Sequence, residues 1–119
     1  PWSEGSEDAL LTRMSVGLCP LADTEWNRGK SGYKIIQYMS AGRASLVSPI
    51  GIAAELVTDG LTGFHCRTPH EWYQNLMRYH RDPDLRNACG RRAQDVAATT
   101  YDTAIAARQI HELFRAVCG

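Results

Sequence analysis

The chain has 119 residues, enough for one domain with a modest core, and its 44% hydrophobic and 22% charged content is that of ordinary soluble globular material. Thirteen cations balance thirteen anions, which gives no support for nonspecific nucleic-acid binding, since that needs a basic surface, and leaves room for a local positive patch. No apolar run is long enough to span a bilayer, and the opening Pro1-Trp2-Ser3-Glu4-Gly5 carries no secretory signal.

The four cysteines, Cys19, Cys66, Cys89 and Cys118, form no C-x-x-C pair. Closely spaced ligand pairs are absent, so the sequence offers no metal site, and the chain is too rich in regular elements for a disulfide scaffold. Three of the cysteines lie in apolar stretches, as buried reduced thiols do, and the compartment reads as reducing. His65, His70, His80 and His111 are scattered without ligand spacing or a neighbouring nucleophile.

In chain order, Ser6-Glu7-Asp8 reads as a helix N-cap with acids in the first turn, opening a short helix to about Met14. Val16-Gly17-Leu18-Cys19-Pro20-Leu21 is a continuous apolar run and fits a strand buried on both faces. A polar loop is expected from Ala22 to Gly32, then a helix from Tyr33 to Ala41 with Gly42 as its stop. Ala44 to Ser48 reads as a second strand, ended by Pro49 and Gly51. Ala53 to Val57 is a short helix closed by Asp59-Gly60, and Thr62 to Cys66 is a weaker third strand.

The remainder is helical. Thr68 caps a helix with Pro69 at its first position and Glu71 in its first turn, running to about His80. Trp72 and Tyr73 are expected to pack that helix against the sheet. Asp82-Pro83-Asp84 opens another helix, to about Ala98. Asp102 is expected to cap a last helix with an apolar stripe of Ala107, Ile110, Phe114 and Val117. Arg86, Arg91, Arg92 and Arg108 read as solvated helix faces. Alternating helices and strands imply a parallel sheet covered by helices, the α/β class. Such sheets bind ligands beyond the carboxyl ends of their strands, where the loops after the first two strands lie.

The only two lysines, Lys30 and Lys34, fall in Asn27-Arg28-Gly29-Lys30-Ser31-Gly32-Tyr33-Lys34, at the entrance to the second helix. A helix entrance presents unpaired N–H groups and the positive end of the dipole, so flexible cations there make a candidate phosphate site. Gly29-Lys30-Ser31 imitates the end of a P-loop, but Thr24 stands where that motif requires its first glycine, and Glu25-Trp26-Asn27 is too bulky for the cradle. Instead, Ser31, Gly32, Tyr33 and Lys34 supply the helix start, Lys30 a mobile charge, and Gln37 an amide one turn further on. Taken alone, these residues equally fit a solvated surface turn. Gly51 fits either close backbone approach to a ligand or a tight turn. Glu55, Asp23 and Glu25 are most simply capping or solvated acids.

The ordered set resembles the carboxyl-terminal part of a GT-B glycosyltransferase, in the large retaining family that includes sucrose- and mannosyl-transferring enzymes. The resemblance runs from Val16-Gly17-Leu18-Cys19-Pro20-Leu21 through Gly29-Lys30-Ser31-Gly32-Tyr33-Lys34 and Gln37-Tyr38-Met39-Ser40-Ala41-Gly42. It continues through Leu46-Val47-Ser48-Pro49-Ile50-Gly51, Glu55-Leu56-Val57, Asp59-Gly60 and Gly63-Phe64, with Glu71-Trp72 and Asp82-Pro83-Asp84-Leu85-Arg86 in step. It implies a Rossmann-like sheet with flanking helices, part of the C-terminal domain of a two-domain protein. It also implies a nucleoside-diphosphate sugar as donor substrate, with no separate cofactor. By that resemblance Gly32, Tyr33 and Lys34 hold the diphosphate, and Gln37 stands at the position of a ribose-binding acid. The family's paired glutamates correspond to Gly29 and Gln37, so both acids are replaced here, and catalytic residues are left unassigned.

The resemblance also leads us to expect a piece of a longer enzyme, inactive alone, whose acceptor site belongs to an N-terminal domain. Exposed sheet edges predict self-association. The expected location is cytoplasmic, with peripheral work at a membrane face left open. Two alternatives share the sequence: a noncatalytic nucleotide- or phosphate-binding α/β module, and a structural domain without a ligand.

Overall fold

The computed structural model describes residues 3–101 and 103–118. In chain order its elements are α1 (Glu4–Arg13), β1 (Val16–Cys19), α2 (Glu25–Arg28), α3 (Tyr33–Ser40), β2 (Ala44–Val47), α4 (Ala53–Leu56), β3 (Gly63–His65), α5 (Pro69–Arg81), α6 (Pro83–Thr100) and α7 (Thr103–Cys118). The three strands form one parallel sheet in the order β1-β2-β3, with Leu18 opposite Leu46 and Leu46 opposite Phe64. The expected α/β class and parallel sheet are therefore present.

β2 is the centre of the molecule, and all its residues are buried. Its alternating side chains feed two cores, as a period-2 strand must. Ala44 and Leu46 join Phe64, Cys66, Tyr79 and Cys89, while Val47 joins Ile35, Met39, Leu56, Val57 and Ala93. α6 contributes to both, through Cys89 on one and Ala93 on the other. Tyr79 is fully buried, lies 5.2 Å from the Phe64 ring centroid and donates its hydroxyl to Ser45 O at 3.3 Å. Burial pushes its phenol far above the usual range.

Helix boundaries follow local chemistry. Thr68 and Glu71 form a reciprocal capping box at α5, and Asp82 accepts from Leu85 N at the start of α6. α1 begins earlier than the expected Ser6 cap. Ser3 is the N-cap, and Ser6 answers it as the third residue of a capping box. β1 stops at Cys19 because Pro20 has no N–H to extend a ladder. It is also an edge strand, so the expectation of burial on both faces fails: Leu18 is 44% exposed.

Only one of the adjacent aromatics on α5 can face the sheet, being 100° apart around the helix. Trp72 packs on the core, and Tyr73 stands exposed. On α7 the apolar stripe is present but lies in solvent, with Ile110, Leu113, Phe114 and Val117 all exposed. Asp102, expected to cap that helix, lies outside the described residues. No helix among the described residues is long and apolar enough to cross a membrane.

This division between packed sheet and solvated α7 is measurable. Met39→Ala removes a fully buried side chain and should lower the unfolding free energy by about 2–5 kcal/mol. Ile110→Ser should cost less than about 0.5 kcal/mol. Urea unfolding of both variants decides it; equal costs would mean that α7 is packed after all.

Candidate functional site

The loops after β1 and β2 are tied together before any ligand is considered. Ser48 N donates to Cys19 O at 3.1 Å, and Ser48 Oγ accepts from Leu21 N at 2.9 Å. The buried serine thus pairs the first N–H beyond Pro20 and steers the chain out of β1. The next stretch, expected as loop, contains the single turn α2. Thr24 caps it by accepting from Asn27 N at 3.2 Å, and Asn27 Nδ2 donates to Ala22 O at 2.7 Å. A Thr followed by an acid was the available signal, but a helix of four residues has no periodicity to read.

Two glycines bring the walls together. Gly51 has φ +58°, and a Cβ there would stand 2.5 Å from Arg28 O, so the loop after β2 meets the end of α2 backbone to backbone. Gly32 has φ +71°, and its Cβ would fall 2.5 Å from Leu56 Cδ1 and 2.9 Å from Ile52 Cγ2. Gly32 is also the N-cap of α3, with no side-chain cap bond, and α3 has no acid in its first turn. Its carbonyl accepts from Ile36 N at 3.1 Å. The first N–H groups of α3 have no intrahelical acceptor and no capping oxygen competing for them.

A cavity of about 490 Å³ opens at this helix start. One wall is apolar, from Pro20, Leu21, Ile50 and Ile52, and Asn27, Lys30 and Ser31 approach from the α2 side. Gly32, Tyr33 and Lys34 complete it, and among the described residues no aspartate or glutamate lines it. Lys30, Ser31, Gly32, Tyr33 and Lys34 therefore meet at one place, as the sequence suggested. Two ammonium groups, a helix dipole and no carboxylate make a cavity of positive potential.

Gln37 is not in that group. Tyr33 and Gln37 are four apart on α3 and share a stripe that turns toward α1. Gln37 Nε2 donates to Glu7 Oε1 at 2.8 Å, and its side chain lines a different groove, between α1 and α3. Glu55 is exposed on α4, away from the cavity wall. Asp23 is paired with Arg28 at 2.7 Å in solvent, and that hydrogen bond holds its carboxyl below the usual range.

Sequence reading missed Cys19 as part of the site, because an apolar strand run hides a cysteine as one more core residue. Its half-buried thiol lines the cavity. Burial raises its pKa, and Lys34 and Lys30 pull it partly back. The thiol is neutral at pH 7. Cys66 and Cys89 are buried and free. His65 is held by Val57 O at 2.7 Å, and among the described residues no group of three or more His, Cys, Asp or Glu is placed to hold a metal ion.

No family model matches the sequence, and no curated protein is similar to it. Solved structures do match. The C-terminal domain of a glycosyl transferase group 1 family protein, LpcC from Francisella tularensis, superposes with a TM-score of 0.75 at 14% identity, over 87% of this chain and 51% of that one. HepE from Anabaena, solved in complex with UDP, gives a TM-score of 0.73 at 19% identity, over 90% of this chain and 29% of that one. The same protein with UDP and glucose gives 0.75 at 20% identity. The chain spans about half the length of the LpcC domain and under a third of HepE. Its fold is that of the C-terminal, Rossmann-like portion of a GT-B glycosyltransferase.

Proposed function

We propose that this chain is the donor-binding part of a glycosyltransferase that moves a sugar from a nucleoside-diphosphate sugar, with retention of configuration, to an acceptor held by a separate N-terminal domain. One observation carries the reading: the uncapped start of α3 and both lysines of the chain converge on one cavity at the carboxyl end of the sheet that no acid among the described residues lines. That is where open α/β sheets bind ligands. The likeness to HepE, which was solved with UDP and with UDP-glucose, supports a nucleoside diphosphate as the anion.

In this reading the helix-start N–H groups of Tyr33 and Lys34 face the diphosphate, and the ammonium groups of Lys30 and Lys34 approach its oxygens. As the bond to the sugar breaks, negative charge grows on the leaving diphosphate. Donors already in place stabilise that charge without reorganising. The apolar wall of Pro20, Leu21, Ile50 and Ile52 keeps water off one side and strengthens the attraction. Retention of configuration and the separate acceptor domain rest on the family resemblance. The outer edges of β1 and β3 are compatible with self-association of the chain.

Amide chemical-shift mapping with UDP, GDP and ADP should give shifts clustered from Lys30 to Lys34 and rank the bases. Lys30→Ala and Lys34→Ala should each weaken UDP binding about three- to tenfold, an effect that shrinks at high salt. Unchanged affinity in both variants would remove the site assignment. Cys19 should alkylate more slowly than an ordinary free thiol at pH 8, because its raised pKa leaves less thiolate. The rate should climb as pH rises further, and UDP should slow it; indifference to UDP would count against the cavity. The isolated chain should transfer no sugar from UDP-glucose to added acceptors, and detectable transfer would refute the need for a second domain.

A further inference from the structure

A groove of about 650 Å³ runs between α1 and α3, with Tyr101 and Thr103 lining it from the turn between α6 and α7. Polar links set its walls. Glu7 Oε1 accepts from Gln37 Nε2 at 2.8 Å, and Arg43 donates from Nε to Leu11 O at 3.1 Å and from Nη2 to Thr12 O at 2.8 Å. Tyr33 and Ser40 stand at the two ends of α3, about 10 Å apart along its axis, so the groove is elongated. Its lining differs in kind from that of the cavity at the start of α3. Among the described residues it carries one carboxylate, Asp8, and one guanidinium, Arg43, and is neutral in sum. Two tyrosines line it, Tyr33 at 67% and Tyr101 at 37% exposure, so both rings present surface to solvent. The Asp8 carboxylate, the Ser40 and Thr103 hydroxyls and both phenols make no hydrogen bond among the described residues.

We propose that this groove is a binding site for a short neutral oligosaccharide, separate from the cavity at the start of α3. Three properties of the lining select that chemistry. A pyranose ring has an apolar face of C–H groups, and a tyrosine gives such a face a flat apolar partner with a polar tip beside it. Sugar hydroxyls both donate and accept, and the unpaired groups of the groove match them: a carboxylate accepts, a guanidinium donates, and serine, threonine and tyrosine hydroxyls do both. Zero net charge gives no attraction to phosphate or sulfate, in contrast to the two lysines of the neighbouring cavity. A lipid tail would leave those polar groups unpaired, at about 1–3 kcal/mol for each one buried. The inference stands apart from any nucleotide in that cavity, because only Tyr33, Ile36 excluded, is common to both linings.

Amide chemical-shift mapping with maltohexaose, cellohexaose, mannohexaose and chitohexaose at millimolar concentration tests the site. At least one of them should shift Asp8, Thr12, Ser40, Arg43 and Thr103 and leave Lys30 and Ser31 unmoved. Tyr101→Ala should weaken binding of that sugar about two- to tenfold, and Tyr101→Phe should keep most of the affinity, since the ring supplies the stacking surface. Thr103→Val removes a hydroxyl at nearly constant shape and should also cost about two- to tenfold. Circular dichroism should show all three variants folded, and their UDP affinity should equal that of the parent chain, which separates this site from the cavity. Absence of groove shifts with all of these sugars overturns the proposal, as does unchanged sugar affinity in both Tyr101→Ala and Thr103→Val. Shifts confined to residues 30–34 would place the sugar in the cavity and overturn it too. Equal binding of an oligogalacturonate would overturn the selection for a neutral ligand.

Discussion

The hydrogen bonds of Ser48 set the geometry on which the site depends. One serine, at the end of the central strand, satisfies the carbonyl that ends β1 and the N–H just beyond Pro20. A proline leaves the edge strand unable to continue its ladder, and an unpaired group there would be costly where it is half-buried. The serine turns that break into a fixed departure angle. From it follow the place of α2, the contact of α2 with Gly51, and the space between those walls and α3. The cavity is therefore a property of how two parallel strands end, rather than of any one binding residue.

α3 serves both the core and the site. Ile35 and Met39 on one face are fully buried, while its first turn opens on the cavity with no capping side chain. Gly32 joins the two roles. Its left-handed backbone starts the helix, and its missing Cβ lets Leu56 and Ile52 close against it. A side-chain cap would satisfy the helix start, yet it would also occupy the N–H groups an anion needs. The chain leaves the start uncapped and recovers stability through packing on α4 and α6.

Much of this was legible in the residues. The capping residues Thr68 and Asp82, the glycine stop after α3 and the alternation of elements carry their own chemistry and appear where read. Lys30 through Lys34 met at one cavity because a helix start is a local feature. The misses have tertiary causes. Leu18 is apolar in sequence, and only the strand order makes it an edge residue. Gln37 follows the Tyr33 stripe toward α1, an orientation set by how α3 is rotated in its packing. Cys19 was indistinguishable from a core thiol until the cavity was seen beside it. α2 is too short for any periodic signal.

The choice of cation has a chemical consequence. Lys30 and Lys34 are the only lysines, and every other fixed side-chain cation is an arginine. Guanidinium groups stay protonated and inert under conditions where an ammonium can lose its proton and become a nucleophile. Side-chain amine reactivity is thus concentrated at the mouth of one cavity. An acylating or reductively alkylating reagent would neutralise or enlarge the groups at that cavity and leave the arginine charges of the remaining surface intact. In covalent terms the candidate site is the part of this surface whose side chains can be tagged or switched off by amine chemistry.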